Sequence, residues 1–174
     1  VCCCLSVCLS VCLSVCLSVY YLSVCAELCC LVETFPARHE SVEDFLLTVR
    51  AAFLYAKIVT LAPTHWPATN AIMRRNRRVG TSLSGLAQFL AARGMGALQQ
   101  WCSRGYAALQ AQDQALSEKF GVPASIKTTC IKPSGTVSLL AGATPGMHFP
   151  ESRFYLRRVR LARSSNLVPV LRDA

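Results

Sequence analysis

The pattern of apolar and polar positions divides the chain near residue 26. Before that point the residues are apolar or hydroxylic, without one charge. Beyond it, apolar positions recur at the spacings of ordinary secondary structure. Residues 28–35 form an apolar run closed by Pro36 and read as a buried strand. Ser41 opens a helix, with Asp44 three residues on as its capping-box partner. Phe45, Val49, Ala52, Phe53 and Ala56 share one face of that helix, which ends near Thr60 before Pro63. A short helix follows Pro67 and carries Arg74, Arg75, Arg77 and Arg78. Residues 79–84 read as a second strand, and Gly85 leads into a helix that Gly94 and Gly96 break. A long helix over about 98–120 is closed by Gly121 and Pro123. Residues 126–131 read as a third strand, 137–141 as a helix, and 155–161, alternating apolar and basic, as a fourth strand. Strands alternating with helices predict an α/β architecture with parallel pairing.

The uncharged start has a strict period. Cys4, Cys8, Cys12 and Cys16 each open a Cys-Leu-Ser-Val unit. A helix drifts by about 40° over such a four-residue repeat, so no single face is maintained. The tetranucleotide TGTC, repeated, encodes the same four residues, so residues 1–26 are expected to be a translated simple DNA repeat, a non-globular low-complexity stretch. A membrane or signal segment is the competing reading, since the run is long enough to span a bilayer. Nine of the eleven cysteines lie in the first thirty residues. With only Cys102 and Cys130 after them, the rest of the chain has the cysteine usage of an intracellular, cytoplasmic protein and not of a disulfide scaffold.

The formal net charge is +9. Such a surplus favours an anionic contact, namely nucleic acid, a membrane surface or nucleotide phosphates, or else faces acidic protein outside this sequence. No zinc finger, basic zipper or aromatic stacking platform accompanies the arginines, so a nucleic-acid module is not expected. No set of residues has metal-ligand spacing.

The chemistry concentrates in Lys127-Thr-Thr-Cys-Ile-Lys-Pro-Ser-Gly-Thr-Val137. A strand, a Pro133-Ser134-Gly135 turn and a helix starting near Thr136 would present backbone N–H groups, two hydroxyls and a glycine to an anion. That is the physics of a phosphate cradle; a plain capped helix, with Ser134 or Thr136 as cap, is the structural alternative. It is not a P-loop, because the spaced glycines and the Gly-Lys-Ser/Thr ending are absent.

This stretch resembles the Pro-Ser-Gly-Thr loop of class II, adenosylcobalamin-dependent ribonucleotide reductases. Four other segments resemble the same family in the same order. They are Cys29-Cys-Leu-Val-Glu-Thr-Phe-Pro36, Asn76-Arg-Arg-Val-Gly-Thr-Ser-Leu-Ser-Gly85, Ala141-Gly-Ala-Thr-Pro-Gly-Met-His-Phe149, and residues 157–161. The likeness is greatest to the monomeric triphosphate-type enzymes. It implies that residues 27–174 are a fragment from the later half of a ten-stranded α/β barrel, preceded by the low-complexity N-terminus. It further implies thiyl-radical reduction of ribonucleotides to deoxyribonucleotides for DNA synthesis, with a thioredoxin-like reductant and adenosylcobalamin as cofactor.

By that resemblance Cys29 is the later member of the redox pair, and Ser134, Gly135 and Thr136 hold the substrate phosphates. Pro133, Met147 and His148 fall in the substrate's vicinity, although His148 by itself reads rather as a backbone-bonding residue. Cys130 and Cys102 read as packing. The radical cysteine should sit in an Asn-Pro-Cys-Gly-Glu-like loop ahead of Cys29, where this sequence has the repeat. The family's C-terminal cysteines would follow Ala174. The polypeptide alone is therefore expected to be inactive. The alternatives are a non-catalytic basic nucleotide-binding protein and a small membrane-anchored one.

Overall fold

The computed structural model describes residues 27–154, 156 and 158–173. The Cys-Leu-Ser-Val repeat lies outside them. Strand β1 (Cys30–Thr34) leads through a 3-10 turn (Pro36–Arg38) into helix α1 (Val42–Val59). Helix α2 (Pro67–Asn76) precedes strand β2 (Val79–Leu83), which feeds α3 (Leu86–Phe120). A single turn, α4 (Val137–Leu140), and a short helix, α5 (Leu167–Asp173), complete the order. The two strands pair in parallel, from Cys30 opposite Val79 to Thr34 opposite Leu83. This is an α/β arrangement with the crossover made by helices, as the alternating pattern predicts.

Local chemistry explains most boundaries. Ser41 caps α1, its Oγ accepting the Asp44 N–H at 3.2 Å. Only half of the expected capping box forms, because the Asp44 carboxylate turns instead to His39 Nδ1, 2.7 Å away. Helix α2 ends at Arg77, which adopts the left-handed conformation with φ 44°. Gly94, at φ 78° and ψ 173°, breaks α3 where the paired glycines predicted a break.

The core lies between the sheet and helices α1 and α3. Phe45, Val49, Phe53 and Ala56 of α1 meet Phe89, Trp101, Leu109 and Leu116 of α3 and Val79 of β2. Trp101 stacks on Phe45 with ring centres 5.3 Å apart and meets Phe89 edge-on at 4.9 Å. Beneath it, the fully buried Lys57 ammonium is 2.7 Å from Asp113 and also donates to Ser117 and Ser125. The Asp113 carboxylate accepts the Ser125 N–H, which ties the connection after α3 back to the helices.

Two expected strands differ. Residues 126–131 run alongside β2, with Thr81 bridged to Thr129 and hydrogen bonds from Val79 N–H to Lys127 O and from Cys130 N–H to Thr81 O. The run makes one bridge and not a regular strand; past Cys130 its backbone leaves the ladder, and the Lys132 N–H goes to the Ser82 hydroxyl instead. In the predicted fourth strand, Tyr155 and Arg157 lie outside the described residues, and Leu156 and residues 158–161 are not in a strand. They lack a described neighbour to pair with. Among the described residues, no helix is long and apolar enough to cross a membrane.

Candidate functional site

Alternation along β1 turns Val32 into the core and leaves Leu31 half-exposed on the opposite face, with Glu33. Cys29 immediately precedes the strand and is exposed. Loss of water around its thiol pushes Cys29 up to about 11; neighbouring Cys130 adds to this, and the Arg78 charge opposes it. Its sulfur therefore holds a proton at neutral pH. Gly80 on β2 makes room on this face, since a Cβ there would lie 2.6 Å from Leu31 Cδ2 and 2.7 Å from Cys130 Sγ. The four described cysteines, Cys29, Cys30, Cys102 and Cys130, are all free thiols.

The loop at 132–136 is anchored to the end of this sheet. Lys132 N–H donates to Ser82 Oγ at 3.1 Å, and its ammonium reaches Glu33 at 2.7 Å. Glu33, whose side chain is 4% exposed, also accepts a hydrogen bond from the Ser84 hydroxyl. Burial pushes the Glu33 carboxyl up, but the hydrogen bonds from Lys132, Ser134 and Ser84 and the Lys132 charge outweigh it. They hold the group below the usual carboxylate range.

Ser134 is buried, with a left-handed backbone at φ 39°. Its Oγ accepts the Ser138 N–H, and Ser138 Oγ donates to the Ser134 carbonyl at 2.7 Å. Ser134 therefore caps α4 from two residues outside the N-cap position, and Thr136, at that position, makes no side-chain cap bond. Ser134 is buried, so the loop's outward face consists of Pro133, Gly135 and Thr136, all exposed. A Cβ added at Gly135 would meet nothing within 4 Å. With only four residues, α4 contributes little aligned dipole.

The segment after the loop is sewn to the same place. Arg38 donates to the carbonyls of Ala141 and Gly142. Gly146 N–H donates to Ser84 Oγ, and Leu86 N–H to the Gly146 carbonyl. A Cβ on Gly146 would lie 2.6 Å from the Lys132 carbonyl, so the two loops touch backbone to backbone there. Met147 and His148 follow on the exposed side, with the His148 N–H closing a turn onto Pro145 O.

The structure thus brings Ser134 together with Glu33, Lys132 and Ser84, none of which the motif reading singled out. An acidic residue inside the apolar run Cys-Leu-Val-Glu-Thr was the available signal, because a carboxylate in a buried strand needs partners. Half of the arginine cluster near α2 is tied into the fold, while Arg74 and Arg75 are exposed. Arg77 is buried and donates to Thr60 O, and Arg78 pairs with Glu27 at 2.9 Å.

An apolar pocket of about 330 Å³ lies between the sheet and the helices, lined by Phe45, Leu83, Cys102, Tyr106 and Cys130 among others. Its size suits a small ligand and not a corrinoid. No group of three His, Cys, Asp or Glu that could hold a metal occurs among the described residues.

No protein-family model matches the chain. It is 58% identical over 148 residues, 85% of its length, to a probable adenosylcobalamin-dependent ribonucleoside-triphosphate reductase of Dictyostelium discoideum. It is 56% identical over 142 residues, 82% of its length, to the adenosylcobalamin-dependent ribonucleoside-triphosphate reductase of Euglena gracilis. In both cases it spans 20% of the relative. Among solved structures, a B12-dependent (class II) ribonucleotide reductase superposes with TM-score 0.65 at 31% identity, covering 71% of this chain and 21% of that one.

Proposed function

This chain is homologous to about one fifth of the length of the adenosylcobalamin-dependent ribonucleoside-triphosphate reductases, and from that membership we propose that it supplies part of their substrate and thiol machinery. Residues 27–174 are read as a section of the later half of the ten-stranded α/β barrel. Residues 1–26 are read as a translated simple repeat outside it. The single observation that carries this is the 58% identity over 148 residues.

In this reading Gly135 and Thr136 meet the triphosphate of a ribonucleotide, with Pro133, Met147 and His148 alongside. Ser134 sets the turn. Cys29 is one of two thiols that reduce the 2′ position. The ribose C2′–O bond breaks, water leaves, and the two thiols become a disulfide, so two electrons pass from sulfur to carbon. A dithiol reductant of the thioredoxin type, acting in the cytoplasm, would restore the pair. Adenosylcobalamin would supply the radical initiation, as the names of the relatives state for them.

Triphosphate binding by the full chain tests the reading. Gly135→Ala adds a methyl group where the fold has open space. It is therefore expected to leave thermal unfolding unchanged while weakening ATP binding by about ten-fold or more, by blocking close backbone approach. Equal affinities in a titration of the two proteins would refute the phosphate assignment.

A further inference from the structure

We propose that Glu33 is a positioning residue for the phosphate loop, fixing that loop against the strand that follows Cys29; the inference rests on the function proposed above. The carboxylate sits at one end of β1 and binds two groups from two other segments. Lys132 Nζ lies 2.7 Å from it, reaching it from the loop that carries Ser134. The Ser84 hydroxyl reaches it from the end of β2 while accepting the Gly146 N–H. One buried anion therefore joins the cysteine strand, the phosphate loop and the segment bearing Met147 and His148.

Two costs make a purely stabilising role a poor account of Glu33. A buried ion pair gains little over well-packed apolar side chains, because desolvation offsets the attraction. An anion beside a phosphate loop also lowers the positive potential that would draw the phosphate in. Fixed geometry is what the arrangement provides in return. Ser134 is held in a left-handed backbone at φ 39°, with its hydroxyl and its carbonyl both engaged. The Lys132 ammonium, with its side chain 29% exposed, is held beside the loop.

The sign of one mutation separates the two accounts. Glu33→Gln removes a negative charge and keeps the shape. Electrostatics alone then requires tighter binding of ATP and of inorganic tripolyphosphate by the full 174-residue chain. Positioning requires weaker binding of both, by about ten-fold, the scale of lost charge-assisted hydrogen bonds. Ser84→Ala changes no charge and is expected to weaken binding of both by about three-fold. Equal or tighter binding by a folded Glu33→Gln chain overturns the proposal. If that variant does not fold, unchanged binding by Ser84→Ala overturns it. If the unaltered chain binds neither probe, the phosphate-loop reading fails and this inference falls with it. A Gly135→Ala loss beside an unaffected Glu33→Gln sinks this inference alone.

Discussion

At the scale of single residues, protonation is the most direct handle. The Cys29 thiol is held up to about 11 against an ordinary 9.0, so its alkylation by iodoacetamide should climb with pH through about 11. A rate that levels off near 9 would show that the thiol is solvated as in a free peptide. The same shift lowers stability as pH rises from 9 to 11, since unfolded chains ionise the thiol first. The carboxylates act in the opposite direction. Burial raises Glu33 and Glu27, but Lys132 and Ser134 at Glu33, and Arg78 and Asn76 at Glu27, bring both below the ordinary 4.5. Their contribution is therefore complete above that value and is lost as pH falls below it. Thermal midpoints measured from pH 6 down to pH 3 should fall less steeply in Glu33→Gln. Gly146 is a steric test. Its φ is 52° and a Cβ would strike the Lys132 carbonyl, so Gly146→Ala should cost about 2–4 kcal/mol in denaturant unfolding, from left-handed strain plus overpacking.

Among elements, the Lys57–Asp113 pair joins α1 to α3 at 2.7 Å with both side chains almost wholly buried. Lys57→Ala should cost about 3–5 kcal/mol by stranding the Asp113 charge, while Lys57→Met with Asp113→Leu should recover much of that loss. Urea denaturation of the three proteins checks this; equal losses in the single and double variants would place the energy in packing. The elements themselves were legible wherever periodicity and caps coincided. Ser41, Pro67, Gly85, Gly94 and Gly121 each mark a boundary in the pattern, and each marks one in the fold. Residues 126–131 do lie beside β2 but form one bridge with it, and of the run expected at 155–161 Leu156 and residues 158–161 are not in a strand, because alternation shows what a segment could pair with and not how far the pairing extends. The phosphate loop was legible as a motif, but its support was not. Glu33 and Lys132 are 99 positions apart, and no local pattern reports a contact of that range.

At the level of the whole molecule, helices cover one face of the two-stranded sheet, while Leu31, Ile131 and Leu140 are exposed. Residues 27–174 in isolation are expected to associate with increasing concentration, which sedimentation velocity would show. A monomer with one cooperative thermal transition would refute this. Full-length transcripts are expected to lack the segment encoding the Cys-Leu-Ser-Val repeat. Its retention in mature message would favour the membrane-segment reading of residues 1–26. The Glu33–Lys132 contact also bears on recombination. A crossover anywhere between positions 34 and 131 takes the acid from one parent and the base from the other. Chimeras with a relative that carries another residue at either position should therefore sort into working and failing sets by whether those two positions travelled together.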